Sequence, residues 1–571
     1  MKELRLLLFL AAAGLLADPA MAQQNRLVDF VGAARSVISN DGMDVSDSIP
    51  DTTSILNTSG GYALIDLGVD IQPNASTEIL GMFRIRNQYG GFWGAGVTFD
   101  VRQLWLKGVI GDIVRYQVGD LNLQQTPFTL YNHHADRWDS LPSVFSLQSD
   151  IVDYERFYTG NTWRQQGVNI DFGLEFSKLV REINFTGYVT RMNATDFTSI
   201  PDRLLAGFSA TVVQQQGLDI GYHRTSLFNV QGTAATGGAF SNDVHSATLL
   251  VKKTIGAVAL HWSSEAGESR LEDEAYPDQS PLSDYFLYSR LALSWEPRHL
   301  SFYMGYLNVG PDFRSPGAQN KEIDYTSLSG YFDRYTNSRV LRPLSITDYL
   351  QDENIYRPSI QSDLMSVNPS INNISPYGLS TFNRLGGYIG LNYSSAKGVS
   401  INLQQDRLRE IRGQGTLALK EFVRTKGSLS VDLHRLIDIK RNIVLRAGID
   451  DQITSRTSQS TLEDIDLHAV RYFAGMELEL VRRFDLMAGW MSLRADGNEF
   501  LPERDGPSDI GYFESVSYDL NESSWATGLR FRFDPKIYLS ALYQKTIYEE
   551  RSGASVGYSL DRFALIYSMT F

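Results

Sequence analysis

No cysteine occurs among the 571 residues. That excludes a disulfide framework and a lipid anchor on an N-terminal cysteine. Histidine is scarce, with 8 residues. Neither a His-Glu-x-x-His pair nor a phosphate-binding loop is present, which removes the commonest hydrolase and nucleotide-binding signatures. Past the N-terminal leader, no apolar run reaches the length of a membrane-spanning helix. Excess positive charge is lacking too. The formal net charge is -14, and an acidic balance argues against nucleic acid as a partner. Aromatic residues are not scarce, at 12% of the chain, and 47 glycines accompany them.

What is present begins with an export signal. Lys2 and Arg5 flank an apolar run from Leu6 to Leu16, and Ala20-Met21-Ala22 supplies a small-x-small cleavage site. Residues 1–22 therefore read as a cleaved secretory leader. A mean hydropathy of -0.21 looks soluble. It also suits strands in which only every second residue meets lipid. From about residue 60 such alternation recurs in segments of roughly ten residues. Val168, Ile170, Phe172, Leu174 and Phe176 share one strand face, with Asn169, Asp171, Gly173 and Glu175 on the other. Ala63/Ile65/Leu67/Val69/Ile71, Leu300/Phe302/Met304/Tyr306 and Phe484/Leu486/Ala488/Trp490 repeat the pattern.

The last twelve residues, Leu560 to Phe571, carry it to the end of the chain. Phe563, Leu565, Tyr567, Met569 and Phe571 alternate with Arg562, Ala564, Ile566, Ser568 and Thr570. This ending resembles the terminal strand of Gram-negative outer-membrane β-barrels. The resemblance implies a bacterial outer-membrane location, lipid as the solvent of the stripe, and a terminal signal of these five residues read by the barrel-assembly machinery. The expected fold is all-β: one large transmembrane antiparallel up-and-down barrel.

The connections alternate short and long. Short ones fall at Pro73-Asn74, Ser177-Lys178, Ala396-Lys397, Arg482-Arg483 and Pro535-Lys536, among others. Long ones are expected at Leu121–Thr162, Asn229–Ser241, Gly267–Ser283, Gly310–Asn383 and Ala495–Asn521. Short periplasmic turns and long external loops are the outer-membrane arrangement. Taking Phe571 as a periplasmic end requires an upward strand before Tyr62, and Leu27–Ser39 is the one available stretch. The expectation is about 22 strands, or 18 to 20 with merged hairpins. Residues 23–60 then form a first strand plus loop, and 61–571 the barrel. The short N-terminal stretch leaves no room for the plug of a TonB-dependent transporter or the periplasmic domains of an assembly factor. A fatty-acid channel is set aside because the inward faces read polar and charged.

On those faces the chemistry is basic and acidic by turns. Arg84 and Arg86, then Asp100 and Arg102, then Arg115 lie on three consecutive strands, with Arg84 expected beside Asp100 and Arg102 across the ladder. Arg446, Arg530 and Arg532 form a second basic group. Asp66, Asp70, Asp171, Glu175, Glu477 and Glu479 also point inward. The arginines read either as an anion-selective wall or as one side of an ion-pair network that stiffens it. His133-His134 as a metal site, a His223 or His261 hydrolase pair with nearby Ser246, and the carboxylates Glu477 and Glu479 as a glycosidase pair are each weaker than a structural reading. Two functions follow: a cofactor-free, porin-like channel for small hydrophilic solutes, or a non-transporting barrel subunit of a secretion, assembly or surface-anchoring complex. Homo-oligomers and outer-membrane complex subunits are the protein partners each allows.

Overall fold

The computed structural model describes residues 27–45, 57–89, 96–133, 138, 140–156, 163–214, 217–325, 344–352, 355–357, 360–552 and 556–571. The leader expected over 1–22, and His134, lie outside them. The wall starts with β1 (Val28–Val45), β2 (Asn57–Asn74), β3 (Thr77–Gln88), β4 (Val97–Ile110), β5 (Val114–Leu123) and β6 (Trp163–Glu175). It continues through β7 (Val180–Asn193), β8 (Arg203–Gln214), β9 (Leu218–Asn229), β10 (Phe240–Ile255), β11 (Val258–Asp273) and β12 (Leu282–Trp295). Next come β13 (Leu300–Val309), β14 (Arg384–Ser394), β15 (Val399–Arg409), β16 (Glu421–Asp432) and β17 (Ile443–Arg456). The last five are β18 (Ile465–Val481), β19 (Phe484–Arg504), β20 (Ile510–Asp534), β21 (Ile537–Glu550) and β22 (Val556–Thr570).

All 22 strands form one sheet. Neighbours in sequence are antiparallel neighbours in space, and β22 pairs back onto β1 from Ala33↔Thr570 to Val45↔Tyr558. Beyond that ladder, Gly32 and Phe571 exchange two backbone hydrogen bonds of 3.0 Å. Closure leaves no edge strand with unpaired amides, the condition for a sheet to sit in hydrocarbon.

The two faces of the wall separate as the alternation demands. Phe30 and Phe99 are each 64% exposed and Phe563 is 50% exposed, whereas Leu64, Asp66 and Met487 are fully buried. Phe563, Leu565, Tyr567, Met569 and Phe571 lie on the outer face of the last strand, and Ala564, Ile566 and Ser568 are buried behind them. An outward apolar band on a closed barrel identifies lipid as its surroundings.

One expected loop is not a loop. Over Ala495–Asn521 the ladder of β19 and β20 runs on to Arg504↔Ile510, so most of that stretch is a tall hairpin. Gly267–Ser283 likewise shortens, because β11 reaches Asp273 and β12 starts at Leu282. Above the bilayer the outer face need not be apolar, so alternation fades while backbone pairing continues. Asn229–Ser241 and Gly310–Asn383 do separate strands, with β9 ending at Asn229 and β13 at Val309.

Candidate functional site: a lumen occupied by its own loops

The connection between β5 and β6 carries α1 (Ser143–Arg156), and that between β13 and β14 carries α2 (Asp348–Gln351). Both lie inside the barrel. Val144 and Phe145 at the start of α1 are fully buried, as are Met487 and Met491 on the wall. These residues share one apolar cluster with Ile346, Tyr349 and Leu350 from the second loop. Wall glycines make room for the helix. A Cβ at Gly489 would stand 2.8 Å from the Phe145 ring, and one at Gly475 would stand 2.4 Å from Pro142. The polar lumen expected from the strands alone is therefore corrected. The loops bring their own apolar residues and build a core against the wall.

The two basic groups meet opposite ends of α1. At its C-terminus, Arg84 forks onto Asp66 with two bonds of 2.8 Å and donates at 2.9 Å to the Glu155 carbonyl. Arg102 bonds Asp66 and the Tyr154 carbonyl. The Tyr154 hydroxyl donates to Asp66 at 2.7 Å. Burial pushes that hydroxyl up to about 12, so it stays a donor. Arg35 holds the Glu155 carboxylate at 2.8 Å, Arg86 approaches it at 3.6 Å, and the Tyr62 hydroxyl donates to it. Cations at the carbonyl end of a helix also oppose its dipole favourably.

At the N-terminus of α1, Arg446 donates to the Leu141 carbonyl at 3.1 Å and to Ser143 Oγ at 3.0 Å. Ser143 in turn donates to Glu477. Arg530 bridges Glu477 and Asp485, and Arg532 joins Asp485 to Glu479. Between the ends, Gln148 Nε2 donates at 3.1 Å to Gln544 of β21. A 14-residue helix is about 21 Å long, enough to run along the lumen face from β17–β20 to β1–β4.

The expected neighbours of Arg84 are corrected in part. Register places Arg84 opposite Asp100. Its guanidinium nevertheless closes on Asp66 of β2, where Asp66↔Arg84 are also paired and the carboxylate is fully buried. Asp100 is exposed near the top of β4. A register shift between Met82 and Phe83 leaves Arg102 as the extra residue of β4, and such bulges re-aim side chains. Arg115 stands apart. It pairs with Asp171 at the periplasmic end, with its side chain 71% exposed, beside a cavity of about 400 Å³.

The second loop is pinned as firmly. Phe313, on the stretch Pro311–Gln319, packs at 5.1 Å on Phe286, which stacks at 4.1 Å on Phe128 of the first loop. Ser315 Oγ donates to the Phe128 carbonyl at 2.7 Å, and the Tyr131 amide to the Gly317 carbonyl at 2.9 Å, so the loops are bonded to each other. Arg314 is buried and donates to the Pro507 carbonyl at 2.7 Å. Burial lowers its guanidinium to about 9.

Of the weaker readings, His223 is held on the wall by Ser209 at 2.9 Å and Thr248 at 3.1 Å. Glu477 and Glu479 are engaged by Arg530 and Arg532. Arg35, Tyr62, Tyr154 and Glu155 were not singled out from the sequence. Arg35 lies on an inward position of β1, which alternation could have flagged. Glu155 gave no such signal, because it is one carboxylate in a loop.

No protein-family model matches the chain, and no curated protein matches it. Solved structures do match over nearly the whole length. The ferric citrate transporter FecA superposes with a TM-score of 0.49 at 10% identity, over 95% of this chain and 78% of that one. OpdK of Pseudomonas aeruginosa, solved with vanillate, gives 0.33 at 9% identity over 95% and 99%. OccAB4 of Acinetobacter baumannii gives 0.31 at 9% over 97% and 100%. At such scores the identification rests on this chain's own closed ladder and apolar exterior: it is an outer-membrane β-barrel with two of its loops folded into the lumen.

Proposed function

We propose that the protein is a porin-like channel for passive diffusion of small hydrophilic solutes, with the two inward loops setting the constriction. The observation that carries this reading is a cavity of about 500 Å³ within the lumen, lined by both polar and apolar side chains, walled by β12–β16 and roofed by the loops. Anion preference, on this reading, does not come from Arg84, Arg86 and Arg102. Arg84 and Arg102 are engaged with Asp66 and the end of α1, and Arg86 lies beside Glu155. These arginines act as a clamp between wall and loop. The five outward residues of the last strand serve as the signal for barrel assembly.

A second reading, a non-transporting subunit of a larger outer-membrane complex, is favoured by the apolar core that the loops build inside the barrel. Planar-bilayer recording of the folded protein decides between them. Unitary open-channel steps are expected, and their absence would favour the subunit. Reversal potentials should shift little in Arg86→Gln. A marked loss of anion preference there would restore the selective wall.

A further inference from the structure

The cavity between β12–β16 and the loops is lined by an arginine, Arg290, whose Nε has no acceptor. Arg290 points inward from β12, and its Nε is buried with no acceptor. Among the described residues it makes no ion pair; its guanidinium lies 4.7 Å from the centre of the Tyr303 ring. Other charged groups facing the cavity lie beside polar or charged neighbours. Arg424 forks onto Asp450 at 2.8 and 2.7 Å. Asp406 accepts from Gln404 at 2.8 Å, and Lys426 sits opposite Gln404 and Asp450 in register.

Two tyrosine rings on adjacent strands, Tyr303 and Tyr388, meet here edge-on, with centroids 6.1 Å apart and planes at 63°. A Cβ at Gly390 would come within 2.1 Å of the Tyr303 ring, and one at Gly305 within 2.2 Å of the Tyr388 ring. The phenol end of each ring therefore stands over a glycine on the neighbouring strand. Arg290 lies over the Tyr303 ring. Around them stand hydroxyls and amides: Tyr288 and Tyr388 share a hydrogen bond of 2.7 Å, Tyr303 donates to Gln404 at 2.9 Å, and Asn402 donates to Ser428 at 3.2 Å.

We infer that this cavity is a binding site for a small hydroxylated solute bearing one oxyanion, a carboxylate or a phosphoryl group, about the size of a hexose. Arg290 takes the oxyanion, because a half-buried guanidinium whose buried Nε has no acceptor gains a charge-assisted bond from it. The Tyr388 ring gives apolar contact to the C–H groups of a sugar ring, and the lining amides and hydroxyls, its own among them, exchange bonds with the sugar hydroxyls. The site deepens the channel reading and rests on it.

Calorimetric titration of the folded, full-length chain in detergent micelles tests it, with D-glucuronate, glucose 6-phosphate and neutral glucose as probes. At least one anion should bind about tenfold or more tightly than glucose. Which anion binds assigns carboxylate, phosphoryl or both. Arg290→Gln should weaken that binding about tenfold or more, while Arg181→Gln, at a periplasmic turn, leaves it unchanged. If Arg290→Gln does not fold, judged by heat-modifiable gel mobility, Tyr388→Phe replaces it, with a severalfold loss expected. No heat with either anion, glucose binding as tightly as the anions, or a folded Arg290→Gln (or its substitute Tyr388→Phe) binding like the parent overturns the site. A barrel that binds without conducting keeps the site and removes the channel. One that conducts without binding does the reverse.

Discussion

Two stretches of the same lumen wall use the same residue types to opposite ends. Around β1–β4 and β17–β21, arginines face carboxylates and the two ends of α1, and these groups hold a loop in place. Around β12–β16 tyrosines and amides stand beside Asp406, Arg424 and Lys426, one arginine, Arg290, makes no ion pair among the described residues, and a cavity remains. A cation on a barrel wall therefore says nothing about selectivity until its partner is known. Buried charges that find a partner in the same chain become structure.

That contrast can be broken most strongly at Asp66, which is fully buried beneath Arg84, Arg102 and Tyr154. Asp66→Ala leaves buried guanidinium groups without their anion, a loss of about 3–5 kcal/mol. Proteolysis within the loop 124–162 should accelerate by about a hundredfold or more, and an unchanged rate would remove the clamp. Phe145→Ala attacks the apolar side of the same attachment. Emptying that buried site should cost about 3 kcal/mol, read as faster hydrogen exchange in α1 with strand amides still protected. A smaller effect, about 1–3 kcal/mol, is expected from Gly489→Val, because the added carbons collide with Phe145 and Val144. Displaced loops should then show as larger single-channel currents. The smallest change belongs to Arg115→Gln. Its pair with Asp171 is exposed, and such pairs contribute under about 1 kcal/mol, so the denaturation midpoint should stay put. A clear drop would mean that the periplasmic rim also carries the fold.

The outer face was open to reading from sequence because lipid imposes one rule on it. Val168, Ile170 and Leu174 must be apolar whatever lies behind them, and a period of two then fixes which residues point inward. By that route Arg84, Arg102, Arg446 and Arg530 were placed on the lumen face. Their partners were hidden. Glu155 is 120 residues from Arg35, and Ser143 is 303 from Arg446. No strand periodicity links a loop carboxylate to a wall position. Arg290 alternates inward beside Tyr288 as plainly as Arg84 does, yet its lack of an anion depends on neighbours from several strands.

By itself, then, the amino-acid sequence determined the closed all-β wall, its orientation and its apolar exterior. Hydrocarbon demands full backbone pairing and a stripe of apolar side chains, and both are local features of each strand. Only the tertiary structure decided what fills the lumen. There, loops are free of the period-two rule, and each charge takes its role from whichever distant group the fold sets against it.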